Sequence, residues 1–124
     1  MIVWLNGTFG AGKTATELAR YTGEHLIAAQ TILDRGYLAE IFNGLRTAGM
    51  AVFHVLLDAD DDVLRRRIAA SQEATQWRLD HLATYRRARP WLRCEADLVL
   101  DTAALTAAQA AREIASALPG PAET

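Results

Sequence analysis

Residues 2–14 read IVWLNGTFGAGKT, and this stretch decides the fold. Ile2 to Leu5 is a short apolar run with β-branched members, closed by Asn6-Gly7, the pattern of a strand buried on both faces. Gly7-Thr8-Phe9-Gly10-Ala11-Gly12-Lys13-Thr14 then completes a G-x-x-x-x-G-K-T motif between that strand and a helix predicted from Lys13 to about Arg20. Glycines at 7, 10 and 12 free the backbone to turn its N–H groups toward one centre, and the helix N-terminus adds positive potential there. A loop of this kind wraps an anion of phosphate size. A turn that merely joins strand to helix is the competing reading; the complete motif, its flanks and its lysine count against it.

Lys13 is the only lysine, since the other twelve of the thirteen basic residues are arginine. In such a motif the compact ammonium reaches the β- and γ-phosphates of a nucleoside triphosphate, and the Thr14 hydroxyl holds Mg²⁺. Working outward, His25 to Gln30 reads as a second strand. Tyr37, Leu38, Ile41, Phe42 and Leu45 share one face of a helix ended by Gly49. Ala51 to Leu57, AVFHVLL, is the clearest buried strand. Asp58-Ala59-Asp60-Asp61-Asp62 gives an acidic start to a helix over about 61–70. A further helix over about 74–89 ends before Pro90. Ala96 to Leu100 is a last strand, Ala107 to Leu118 a closing helix, and PGPAET a frayed tail. This alternation produces an α/β fold, a three-layer αβα sandwich with a parallel sheet of about four strands.

The chain has 124 residues, 51% hydrophobic and 23% charged, as expected for one domain spanning residues 1–124 that folds without staples. Cys94 is the single cysteine, which excludes an internal disulfide and fits a reducing, cytoplasmic setting. No apolar run approaches the ~20 residues that span a bilayer, so no integral membrane association is expected.

The net charge of −2 hides an asymmetry: residues 65–93 carry eight arginines against Glu73 and Asp80. That segment suits a helical lid that closes over phosphates and excludes water, or else a solvated helix face. Arg65, Arg66 and Arg67 point in different directions on a helix, so Arg67 and Arg78 are the expected catalytic arginines. Trp77, His81 and Tyr85 form an i, i+4, i+8 stripe, for which packing of Trp77 and Tyr85 into the core is the favoured reading. For a catalytic base, Asp34 lies soon after the second strand. Asp58 and Asp60 close the third and suit water-mediated Mg²⁺ contacts, or act as helix N-terminal residues favoured by the dipole. Asp101-Thr102 ends the last strand and suits a helix cap.

With these residues in hand, the sequence resembles the tunicamycin-resistance proteins and related bacterial ATP-binding proteins, relatives of the shikimate and nucleoside monophosphate kinases. The resemblance rests on IVWLNGTFGAGKT, EIFNGLRTAG, HVLLDAD running into DDVLRRRI, QWRLDHLATYRRARPWL and VLDTAALTAAQAAREI. It implies a P-loop NTPase fold with strands in the order 2-1-3-4, ATP held at Gly7 to Thr14, a lid around Arg67 to Trp91, and adenine near Asp101 to Ala104, including Thr102. One departure matters. Members of the family carry several dozen more residues between the P-loop helix and the strand matched by LIAAQT, including a strand ending in the acceptor-side acid. Here Leu18-Ala19-Arg20 passes almost directly into Tyr21-Thr22-Gly23, as an internal deletion or an omitted segment would leave it.

The function expected is ATP-dependent phosphotransfer to an unidentified small molecule, an antibiotic or sugar-like alcohol. A non-catalytic nucleotide-binding protein that sequesters a ligand is the alternative, favoured by the missing acid. Nucleic acid is disfavoured as a partner by the pI of about 5.9 and the lack of a recognition motif.

Overall fold

Along the first strand, β1 (Ile2–Asn6), side chains alternate between two cores: Ile2 and Trp4 pack on one face, Val3 and Leu5 on the other. The same alternation runs through β3 (Val52–Asp58), where Leu56 joins the first core and Val55 and Leu57 the second. With β2 (Leu26–Ala29) and β4 (Leu98–Asp101), these strands make a wholly parallel sheet in the order β2-β1-β3-β4, the order the sequence predicts. The structure, a computed structural model, describes residues 1–7, 11–71 and 75–119.

Right-handed crossovers explain the layers. The step from β1 to β2 and the step from β2 to β3 run in opposite directions across the sheet, so their helices fall on opposite faces. Helix α1 (Ala11–Leu18) shares one face with α5 (Ala107–Ala117), where Leu18, Ala110, Ala111 and Ile114 pack on Val3 and Val55. On the other face lie α2 (Arg35–Thr47), α3 (Asp61–Ser71) and α4 (Thr75–Glu95), contributing Leu38, Phe42, Leu64, Ile68, Leu82, Tyr85 and Leu92. The result is a three-layer αβα sandwich.

Several local expectations are corrected. Helix α4 does not end before Pro90 but continues to Glu95. Proline removes one backbone hydrogen bond there, while the face formed by Leu82, Tyr85, Ala88 and Leu92 stays buried and outweighs that loss. Trp77 does not pack in the core: it is 61% exposed, whereas Tyr85, two turns on, is buried. Tyr37 likewise points outward while its neighbour Leu38 is buried. Helix α1 starts two residues earlier than predicted and ends at Leu18, so Gly23 lies well beyond its end. Strand β2 is a short edge strand whose Leu26 is solvent-exposed. The link from α1 to β2 is continuous and tied back on itself, with Thr22 bonded to Leu18 through both its amide and its hydroxyl. Most of the tail lies outside the described residues.

Gly7 has φ +154°, and a Cβ built there would lie 2.6 Å from the Leu57 carbonyl oxygen. Gly44, inside α2, has nothing within 4 Å of such an atom. Gly7→Ala is therefore expected to cost about 1–3 kcal/mol of stability through overpacking, while Gly44→Ala gains up to about 1 kcal/mol through helix propensity. Urea unfolding of the two variants checks both signs.

Candidate phosphate and acceptor site

The carboxyl ends of the parallel strands converge on one edge of the sheet, where open α/β folds place their ligands. At that edge the end of β1 is held by side-chain hydrogen bonds. The fully buried Asn6 accepts at Oδ1 from the Ile32 amide at 2.9 Å and donates from Nδ2 to the Ile32 carbonyl at 3.0 Å. Its Nδ2 also lies 3.4 Å from His54 Nε2, deep in the sheet. Burial is the main cause holding the His54 imidazole below its usual pKa, so it is neutral at pH 7. The Thr31 hydroxyl donates to the Gly7 carbonyl. The loop after β2 is thus fastened to the exit of β1 at two successive residues, Thr31 and Ile32.

Of the residues expected to hold phosphate, Gly7 is buried at the end of β1, and Ala11, Gly12, Lys13 and Thr14 form the first turn of α1. Thr8, Phe9 and Gly10 lie outside the described residues. Lys13 and Gly12 are exposed, Thr14 is buried, and a Cβ added at Gly12 would meet nothing within 4 Å. The start of α1 therefore brings together open space at Gly12, a helix N-terminus, an ammonium and a hydroxyl, a set of groups that fits a phosphate with its metal ion.

Asp101 accepts from the Ala103 amide and caps the 3-10 turn Thr102–Ala104, not the closing helix as one reading had it. That helix is capped by Thr106, in a capping box with Gln109. Arg67 reaches the same turn, donating to the Thr102 hydroxyl at 3.1 Å and its carbonyl at 2.7 Å. An expected catalytic arginine and a residue expected near the adenine thus meet. Thr102 in turn donates to the Asp58 carbonyl at 2.9 Å, which ties the turn to β3.

Asp58 is a strand residue and not a helix N-terminal one, because α3 begins at Asp61. It is 3% exposed and receives the Tyr85 hydroxyl, Arg89 at 3.0 Å and Arg93. Burial alone would raise its pKa, but the hydrogen bonds from Tyr85 and the two arginines outweigh it and hold the carboxyl below its ordinary range. Burial, then the bond to Asp58, pushes the Tyr85 phenol well above its usual value. Further out, Arg65 and Arg86 both pair with Asp61. Much of the arginine segment is thus answered by the acidic run 58–62 that precedes it, a complementarity legible in the sequence as adjacent blocks of opposite charge.

Arg78 does not join Arg67. It lines a cavity of about 460 Å³ between the loop after β2 and helices α3 and α4, together with Thr31, Asp34, Ile68, Trp77 and His81. Asp34 caps α2, its Oδ1 accepting from the Tyr37 amide at 2.8 Å. Among the expected site residues, Arg67 and Thr102 thus meet beside the end of β3, Asp34 and Arg78 line the cavity with Trp77 and His81, and Lys13 and Thr14 lie at the head of α1. Thr31 joins the cavity wall to Gly7, and no sequence pattern marks that contact.

Strand order, layers and a strand–loop–helix opening at the carboxyl edge define a parallel α/β protein of the three-layer sandwich class. No protein-family model and no curated protein matches the sequence. Among solved structures the chain is similar to the tunicamycin resistance protein of Deinococcus radiodurans, with a TM-score of 0.66 and 20% identity over 93% of each chain. The two proteins share a fold.

Asp58→Asn removes the charge that Arg89 and Arg93 face and weakens the partner of the buried Tyr85 hydroxyl. It is expected to lower stability at pH 7 by about 2–4 kcal/mol. Because the folded-state pKa is depressed, this advantage is complete above the ordinary carboxylate value of about 4 and is lost as pH falls through the lower folded value. Urea midpoints of wild type and variant should accordingly converge in acid.

Proposed function

We propose that the protein binds ATP with Mg²⁺ at the start of α1 and transfers a phosphoryl group to a small-molecule alcohol. The observation that carries this reading is the exit of β1. Gly7 lies under the Leu57 carbonyl, and α1 begins at Ala11 with Lys13 exposed and Thr14 in its first turn. When bound, magnesium ATP supplies the transferable phosphoryl group. Lys13 offsets negative charge on the phosphates, the Thr14 hydroxyl holds the metal, and the amides at the head of α1 orient the anion. Arg67, fixed against Thr102, supports the nucleotide side. Asp34 is the carboxylate available to take the proton of the alcohol, since neither β2 nor the Gln30-Thr31 that follows it carries an acid.

The resistance role named for the structural neighbour supports a toxic small molecule, such as a tunicamycin-type antibiotic, as acceptor. A second reading, nucleotide-dependent sequestration without chemistry, is favoured by Asp34 itself, because one of its oxygens already caps α2. Product formation from candidate alcohols separates the two.

Lys13→Ala should weaken ATP binding or turnover at least tenfold, about 1.4 kcal/mol, with little change in thermal stability because the side chain is exposed. Calorimetric titration with magnesium ATP measures this, and unchanged affinity would remove Lys13 from the site.

A further inference from the structure

We infer that His54 is a positioning residue whose neutral ring latches the loop after β2 onto the end of β1, and that a second proton on the ring opens the latch. Asn6 is where the two meet. Its Oδ1 accepts from the Ile32 amide and its Nδ2 donates to the Ile32 carbonyl, so the side-chain amide has one permitted orientation. Turned over, it would set donor against donor and acceptor against acceptor. The second hydrogen on Nδ2 is left for His54 Nε2, 3.4 Å away. That nitrogen must therefore accept, and the network assigns the single ring proton to Nδ1. Nδ1 is buried and has no hydrogen-bond partner among the described residues. A buried N–H without a partner is rare in folded proteins, and here the clamp on Ile32 imposes it.

Protonation reverses the contact. With a hydrogen on Nε2 as well, two donors face each other across 3.4 Å, and Asn6 relieves them only by leaving Ile32. The clamped loop and the charged ring exclude one another. His54 is 1% exposed, so solvent screens little of that charge. Strand β1 and the Phe42 ring of α2, 5.1 Å away, bring no charge to it. Asp97, which accepts from the His54 backbone amide, and Glu95 at the end of α4 favour the charged ring, and Arg46 of α2 opposes it. Burial outweighs the two acids. The latch is therefore fully stable above the ordinary histidine value of about 6.5 and weakens about tenfold per pH unit below it, until the latched ring itself titrates. Opening frees the segment that carries Thr31 and Asp34, whichever ligand the site takes.

Nitrogen NMR of the isotopically labelled full chain, titrated from neutral pH into mild acid, tests this. At neutral pH the His54 ring should carry its proton on Nδ1. As that ring titrates, hydrogen-exchange protection of the Ile32 amide, corrected for the intrinsic rate, should fall by about tenfold or more. Val3 and Val55, in the middle of the sheet, should keep theirs. His54→Gln cannot titrate and still offers Asn6 an acceptor, so it should hold Ile32 protected through the same range. Should that variant not fold, the wild-type ring and the Ile32 amide decide between them. A proton on Nε2 at neutral pH, a ring that stays neutral until the whole sheet unfolds, or Ile32 protection that is flat while the ring titrates overturns the inference. So does an equal loss of protection at Ile32 in His54→Gln.

Discussion

The approach of Gly7 to the Leu57 carbonyl is the constraint on which the carboxyl edge of the sheet depends. A side chain at position 7 would meet backbone at 2.6 Å, and backbone does not yield as the end of a flexible side chain does. The close approach lets the chain leave β1 immediately beside β3 and reach the head of α1 within four residues of Gly7. Asn6 and Thr31 then fasten the neighbouring loop to the same point. The proposed phosphate position and the cavity wall are thus built on one rigid junction.

A second junction, around Asp58, fixes the helices that form the outer wall. One carboxylate at the end of β3 gathers Tyr85, Arg89 and Arg93 from α4, while its own carbonyl takes Thr102 and, through it, Arg67 of α3. Because the carboxylate is buried and its charge is met by two arginines whose heads reach solvent, it orients α4 at a lower desolvation cost than a fully buried pair. Trp77, Arg78 and His81, near the start of α4, owe their place over the cavity to this anchor further along the helix.

Much of the fold was legible in the sequence because strand burial and helix punctuation are local. IVWLN and VFHVLLD announce themselves by apolar runs, the alternation with helices sets a parallel sheet, and the resemblance supplies its order. Helix α4 was misread at Pro90 because a proline is a strong local stop, and the buried face that carries the helix through it is a tertiary property. Trp77 departs for the converse reason: its i, i+4, i+8 spacing with Tyr85 is that of a core stripe, but the buried face of α4 runs through Leu82, Tyr85, Ala88 and Leu92 and leaves Trp77 and His81 exposed. Within the site, Lys13 and Thr14 were marked by spacing. Thr31 and Asp58 take their roles from contacts 24 and 27 or more residues away, which no short pattern encodes.

The most direct measurement is the map of backbone amide shifts on adding magnesium ATP to the isotopically labelled protein. Binding at the junction described predicts the largest changes at Gly7, Gly12, Lys13 and Thr14, with a second group at Thr102 and Ala103 and little change at the far ends of the helices. Shifts that are absent at millimolar nucleotide, or centred away from the carboxyl edge of the sheet, would contradict it.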